Sequence, residues 1–210
     1  MFFKKEYKNL WIACSLTFIT AIILFLLNYR IGKHQFFLLL NNDLGFLADN
    51  FFRFYTNVGD GIVWAVLLFV FIKFRKKYLP LLISAFIIST VLVQICKYLI
   101  LPNEPRPIAA INDTELIHTV AAIKPHRIST FPSGHTAAAF CFFLIACVVI
   151  KKNWLLPVGF ISALLVGYSR VYLAQHFPFD VAAGMITAII SVCLAMLIQQ
   201  WWSHKKAYTT

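Results

Sequence analysis

Three short stretches hold the side chains best suited to chemistry. The first, FPSGHTAAAF at 131–140, sets Pro132, Ser133, Gly134 and His135 directly against apolar sequence. Proline disfavours helix at the residue before it, so a helix should begin after Pro132. Ser133 then falls at or beside the N-cap, with Gly134 and His135 in the first turn. A helix start offers free N–H groups and the positive end of the helix dipole, and a glycine there lets an anion approach the backbone. Phosphate is the natural guest of such a site. Taken alone, the four residues also fit a plain helix cap beside an interfacial histidine.

The second stretch, SRVYLAQHFPFD at 169–180, contains Arg170, His176 and Asp180. Pro178 pushes Phe177 out of helix, so one helix should end near His176 and the next begin near Pro178, with Asp180 in its first turn. So tight a corner returns the carboxylate toward the imidazole. A carboxylate on one ring nitrogen fixes the tautomer and leaves the other nitrogen as a nucleophile. The third stretch, KYLILPNEPRP at 97–107, supplies Lys97 and Arg106. Lys97 by itself is open to a second reading, a side chain that snorkels to the membrane interface. Three cations, a helix start, two histidines and one aspartate together describe a phosphoryl-transfer site. Its basic side chains would stabilise charge that a metal ion stabilises elsewhere. The sequence contains no HExxH, Cys/His cluster or paired-carboxylate motif, so no metal and no cofactor are expected.

The elements that position these residues are membrane helices. The chain of 210 residues is 60% hydrophobic and 13% charged, and that charged share is about half of what a soluble domain carries. Apolar runs recur at the length of roughly 17–25 residues that crosses a hydrocarbon core. They fall at 10–28, 57–73, 79–101, 135–150, 154–174 and 179–202. The expected fold is all-α, a polytopic membrane protein with six transmembrane helices in one domain spanning 1–210. Pro80 and Pro157 fit the first turns of the third and fifth spans. The N-terminal apolar run is too long for a signal-peptide core and reads as a retained first helix. Within FFLLLNNDLGFLADNFFRFY, Leu44, Leu47, Phe51 and Phe54 are spaced to share one helical face. An amphipathic helix in the outer interface is expected there, although a packed loop helix has the same pattern.

Six spans put both termini on one side. That side holds Lys4, Lys5, Lys8, Lys73, Arg75, Lys76, Lys77, Lys151, Lys152, Lys205 and Lys206, in tight clusters flanking the spans. The other holds Arg30, Lys33, Arg53, Lys97, Arg106, Lys124, Arg127 and Arg170. The positive-inside rule then places the termini in the cytoplasm and the reactive residues on the outer face of a plasma membrane. The net charge of +11 follows this topology, so no nucleic-acid partner is expected. Five cysteines, Cys14, Cys96, Cys141, Cys147 and Cys193, lie within apolar runs and lack CxxC spacing, as buried free thiols would.

PSGH at 132–135 and SRVYLAQHFPFD at 169–180 resemble the second and third signatures of the type 2 phosphatidic acid phosphatases (PAP2), which share a fold with vanadium haloperoxidases. The third signature is matched in full. In the first, eight residues separate Lys97 from Arg106-Pro107 where the family pattern has six. The resemblance covers about 97–184 by motif. It implies that His176 is the nucleophile and forms a phosphohistidine, that Asp180 orients it, and that His135 is the general acid for the leaving group. It further implies that Lys97, Arg106, Ser133, Gly134 and Arg170 hold the phosphoryl group. A membrane lipid phosphate or diphosphate would be the substrate: a polyprenyl diphosphate, a phosphatidylglycerol phosphate, a phosphatidic acid or a phosphorylated glycolipid. A lipid phosphotransferase shares the chemistry up to the phosphohistidine. A lipid or phosphate transporter would instead line a path across the bilayer with charge, whereas these charges gather at one face.

Overall fold

The computed structural model describes residues 5–121 and 123–207. Lys4, one of the basic residues counted on the terminal side, lies outside the described residues, as do the side chains of Lys5 and Lys206. Helices form over the apolar runs and stop where proline, glycine or paired basic residues interrupt them. α1 (Lys8–Ile31) ends at Gly32, whose φ of 94° breaks the helix. α2 (Lys33–Leu40) and α3 (Phe46–Tyr55) follow. A 3₁₀ turn, Thr56–Gly59, leads to Asp60, whose carboxylate caps α4 (Gly61–Phe74) by accepting from the Ile62 N–H. α5 (Leu79–Ile95) carries Pro80 in its first turn and runs into a π-helical turn, Cys96–Ile100. A single turn, α6 (Pro107–Ala110), sits in the long loop before α7 (Gly134–Ile150). α8 (Leu155–Tyr172) and α9 (Pro178–Ala207) complete the bundle. Among the described residues there is no strand.

Among the described residues four helices are long and apolar enough to cross a membrane: Lys8–Ile31, Lys76–Ile100, Leu155–Tyr172 and Pro178–Lys205. The pair Phe46–Gly59 and Gly61–Phe74 makes up to a fifth, bent by 53°. The sequence pattern extends a span straight through 57–60, but Asp60 adopts an extended backbone to cap α4 and turns the chain there. α7, the remaining expected span, has 17 residues, at the short end of what crosses a bilayer. Leu44 lies in the break before α3 and so does not share a helical face with Leu47, Phe51 and Phe54. Those three are exposed on α3, while Phe52 is buried against Tyr168 and Tyr172.

α9 is the central element and packs against α1, α5 and α7, while α7 also packs along α8. Small residues on α9, Ala182, Ala188 and Ala195, are fully buried and let the neighbours come close. One close approach is at Gly184, where a Cβ would stand 2.7 Å from the Ser133 carbonyl oxygen and 3.0 Å from Thr136 Cβ. The outward faces remain apolar, with Phe18, Ile19 and Ile23 of α1 and Ile62, Val66 and Phe69 of α4 exposed, a surface suited to hydrocarbon. The two ends of the bundle differ. At one, Lys151 Nζ lies 3.3 Å from Glu6, and Gln199 ties the Leu81 N–H to the Lys77 carbonyl. At the other end meet the end of α5, the start of α7, the end of α8 and the start of α9.

Gly184→Ala should therefore move the start of α7 rather than be absorbed by a flexible side chain. We expect a loss of about 1–3 kcal/mol, read as a lowered Tm in detergent. An unchanged Tm would show that α7 and α9 can separate freely at this point.

Candidate active site

Pro178 starts α9, and Asp180 in its first turn is turned back toward the chain before it. Its Oδ2 accepts from the Phe177 N–H at 2.8 Å, and its backbone carbonyl accepts from the Ser133 N–H at 3.0 Å. The corner 173–177 turns through Ala174, at φ 53°. The N–H groups of Gln175 and His176 both donate to the Arg170 carbonyl. His176 is thereby fixed between two helices, only 2% exposed. Its Nδ1 faces Asp180 Oδ2 at 3.5 Å and Thr130 Oγ1 at 3.4 Å. Thr130 donates its hydroxyl to the same Oδ2 at 2.5 Å. A relay from the imidazole through the threonine hydroxyl to the carboxylate is available, in addition to the direct His–Asp pair expected from sequence.

The other ring nitrogen, Nε2, faces the guanidinium of Arg106 at 3.5 Å. Burial holds the His176 imidazole well below its ordinary value of 6.5, and Arg106, then Arg170 and Lys97, push the same way. The ring is therefore neutral at pH 7, with Nδ1 on the carboxylate side and Nε2 turned to the cations.

Arg106 is 7% exposed and is held by neutral oxygens. Its Nε donates to the Ile128 carbonyl, one terminal nitrogen to the backbone and side-chain oxygens of Gln175, and the other to the Ser129 carbonyl. Arg170, also 7% exposed, donates to Thr56 Oγ1 at 2.6 Å and leaves its Nε unpartnered. Among the described residues neither guanidinium pairs with a carboxylate. Lys97 sits on the π-helical turn and lines a cavity of about 240 Å³ together with Gln94, Gly134 and His135. His176 does not line that cavity.

Ser133 caps α7, its hydroxyl accepting from the Thr136 N–H and hydroxyl. Gly134 has room for a Cβ, 3.8 Å from the nearest protein atom, so packing does not require glycine there and its open side faces the cavity. His135 Nε2 lies 3.7 Å from Asp60 Oδ2. All eight residues singled out in the sequence stand at this one end of the bundle. Thr130, Gln175, Thr56 and Asp60 join them without having been singled out. Thr130 and Gln175 carry no spacing signal, since each is recognised only by what it touches. Asp60 had one, as a lone acid between two glycines ahead of an apolar run is a helix-start pattern.

The PAP2 superfamily model matches residues 77–204. An undecaprenyl-diphosphatase of Sulfolobus acidocaldarius is 32% identical over 93% of this chain and 94% of its own length. Undecaprenyl-diphosphatase BcrC of Bacillus subtilis is 36% identical over 41% of each chain. The crystal structure of LpxE of Aquifex aeolicus is similar with a TM-score of 0.68 at 34% identity, covering 76% of this chain and 92% of that one.

Thr130→Val keeps the shape and removes the hydroxyl between His176 and Asp180. Leaving such buried acceptors short of a donor costs about 1–3 kcal/mol. We expect kcat to fall roughly tenfold or more, with Thr130→Ser close to the parent. Equal activity in all three proteins would remove Thr130 from the site.

Proposed function

The chain belongs to the PAP2 superfamily, and from that premise we propose that it is a membrane lipid phosphatase that cleaves a polyprenyl diphosphate or a related lipid phosphate through a phosphohistidine on His176. One observation carries the reading: two buried guanidiniums with only neutral partners stand beside a neutral buried imidazole. Buried charge of this kind costs several kcal/mol unless it is met by an opposite charge. A phosphoryl group supplies that charge. His176 Nε2 attacks phosphorus from the Arg106 side, and the N–P bond forms as the bond to the leaving oxygen breaks. Lys97, Arg106 and Arg170 stabilise charge on the equatorial oxygens, and the Gly134 N–H and the Ser133 hydroxyl add to them. His135 gives its proton to the leaving oxygen and then helps water attack the phosphohistidine. Asp180 and Thr130 hold Nδ1–H throughout.

A lipid substrate is supported by a second feature. The cavity at Lys97 and His135 shares Gly61, Trp64 and Phe86 with an apolar groove of about 430 Å³ between α4 and α5. A hydrocarbon chain in that groove brings its head group to the side of Lys97 and His135. The diphosphate is favoured because the relative that spans nearly the whole chain is an undecaprenyl-diphosphatase. In this reading α7 completes six crossings, both termini are cytoplasmic, the exposed face of α3 rests in the outer interface, and the site opens to the exterior.

Phosphate release from the purified protein should be measured over a polyprenyl diphosphate, a phosphatidylglycerol phosphate, a phosphatidic acid and a phosphorylated glycolipid, with excess EDTA. We expect release to be fastest from the polyprenyl diphosphate and unchanged by EDTA. A strict requirement for Mg²⁺ or Zn²⁺, or transfer of phosphate only to a second lipid and never to water, would overturn this assignment.

A further inference from the structure

The bend between α3 and α4 lies outside residues 77–204, which match the family model, yet it touches the site at three points. Thr56 accepts from the Arg170 guanidinium at 2.6 Å. Gly59 presses on the backbone of His135, and a Cβ there would stand 2.6 Å from the His135 carbonyl oxygen and 2.7 Å from Val166. Asp60 brings Oδ2 to 3.7 Å from His135 Nε2, while its Oδ1 accepts from the Ile62 N–H and fixes the carboxylate on the cap of α4. Histidine and aspartate are thus each held by backbone, the first by the close approach of Gly59 and the second by the helix it caps.

The charges that face His135 come from four elements. Lys97 stands on the turn after α5, Arg106 on the long loop and Arg170 on α8, and all three are cations. Asp60, at the bend, is the anion. An imidazole that must hold a proton among three cations needs a carboxylate beside it, because a like charge disfavours the protonated ring and an opposite charge favours it. Asp60 is 47% exposed at its side chain, so water screens part of this interaction and the expected effect is moderate.

We propose that Asp60 is the positioning residue of the general acid: it orients the His135 imidazole and offsets part of the charge of the three cations, so that the ring can carry the proton that the leaving oxygen takes. This rests on the phosphatase reading above. In the step concerned, the P–O bond to the leaving group breaks, its electron pair stays on the leaving oxygen, and the proton of His135 neutralises that oxygen. Asp60 forms no bond to substrate and gains no proton. The site then contains two His–carboxylate pairs with separate tasks, His176 with Asp180 for attack and His135 with Asp60 for departure.

The test is single-turnover phosphorylation of the whole protein, with a lipid phosphate and with p-nitrophenyl phosphate, whose leaving group scarcely needs a proton. Asp60→Asn and Asp60→Ser both keep a good N-cap for α4, so the bend should fold. General acid catalysis contributes about 10²–10⁴-fold in all, and part of that, roughly tenfold or more, should be lost on the lipid phosphate. Less than about threefold should be lost on p-nitrophenyl phosphate on the same grounds, and Asp60→Glu should recover part of the lipid rate. In a His135→Ala background, Asp60→Asn should change nothing further. Equal losses on the two substrates would overturn the proposal. So would an undiminished lipid rate in Asp60→Asn, or a loss that persists in the His135→Ala background. A parent protein that forms no phosphoenzyme with either substrate would instead defeat the phosphatase reading beneath it.

Discussion

Two guanidinium groups sunk among apolar helices, with only neutral groups to hold them among the described residues, set the terms for the rest of the molecule. Arg106 and Arg170 are each 7% exposed, and their hydrogen bonds run to carbonyls, an amide oxygen and a threonine hydroxyl. Neutral acceptors fix the direction of a guanidinium but leave its charge standing. Such an arrangement is costly unless an opposite charge meets it. In the function proposed above, a phosphoryl group would supply the opposite charge, and the same two groups would favour it and the transition state that follows.

Holding those charges is a matter of where helices end. Arg106 is wrapped by loop residues 127–129 and tied to Gln175 in the α8–α9 corner, so loop and corner fix one another. The corner is locked by Asp180, which caps its own turn through the Phe177 N–H and binds the Ser133 N–H through its backbone carbonyl. The start of α7 is therefore attached to the start of α9. Gly184 permits the approach by leaving no Cβ against the Ser133 carbonyl. Two helix starts, one helix end and one loop are thus tied together by hydrogen bonds at the helix termini.

Much of this was legible in the sequence. Pro132 and Pro178 are strong local punctuation, and they place Ser133, His135, His176 and Asp180 at helix boundaries without any tertiary information. The bulk of the bundle was legible because hydrophobic runs and their length reflect the surroundings of a membrane helix. What escaped was set by contacts between distant parts of the chain. Thr130 enters only because the loop folds back over the corner, and Thr56 only because α3 packs on α8. The straight span expected at 57–73 became a bent pair, because the capping preference of Asp60 overrode the apolar run around it. Leu44 shows the limit of periodicity: its spacing fits a helical face, but the break at 41–45 removes it from the helix.

The most direct test is to find where the phosphoryl group goes. The protein should be quenched in mid-turnover with a lipid phosphate labelled on the phosphorus that is attacked, digested, and analysed by mass spectrometry without exposure to acid. The account predicts an acid-labile, base-stable phosphate on His176, absent from His176→Ala, which should not turn over. A phosphate on a serine or a carboxylate, or sustained turnover by His176→Ala, would contradict it.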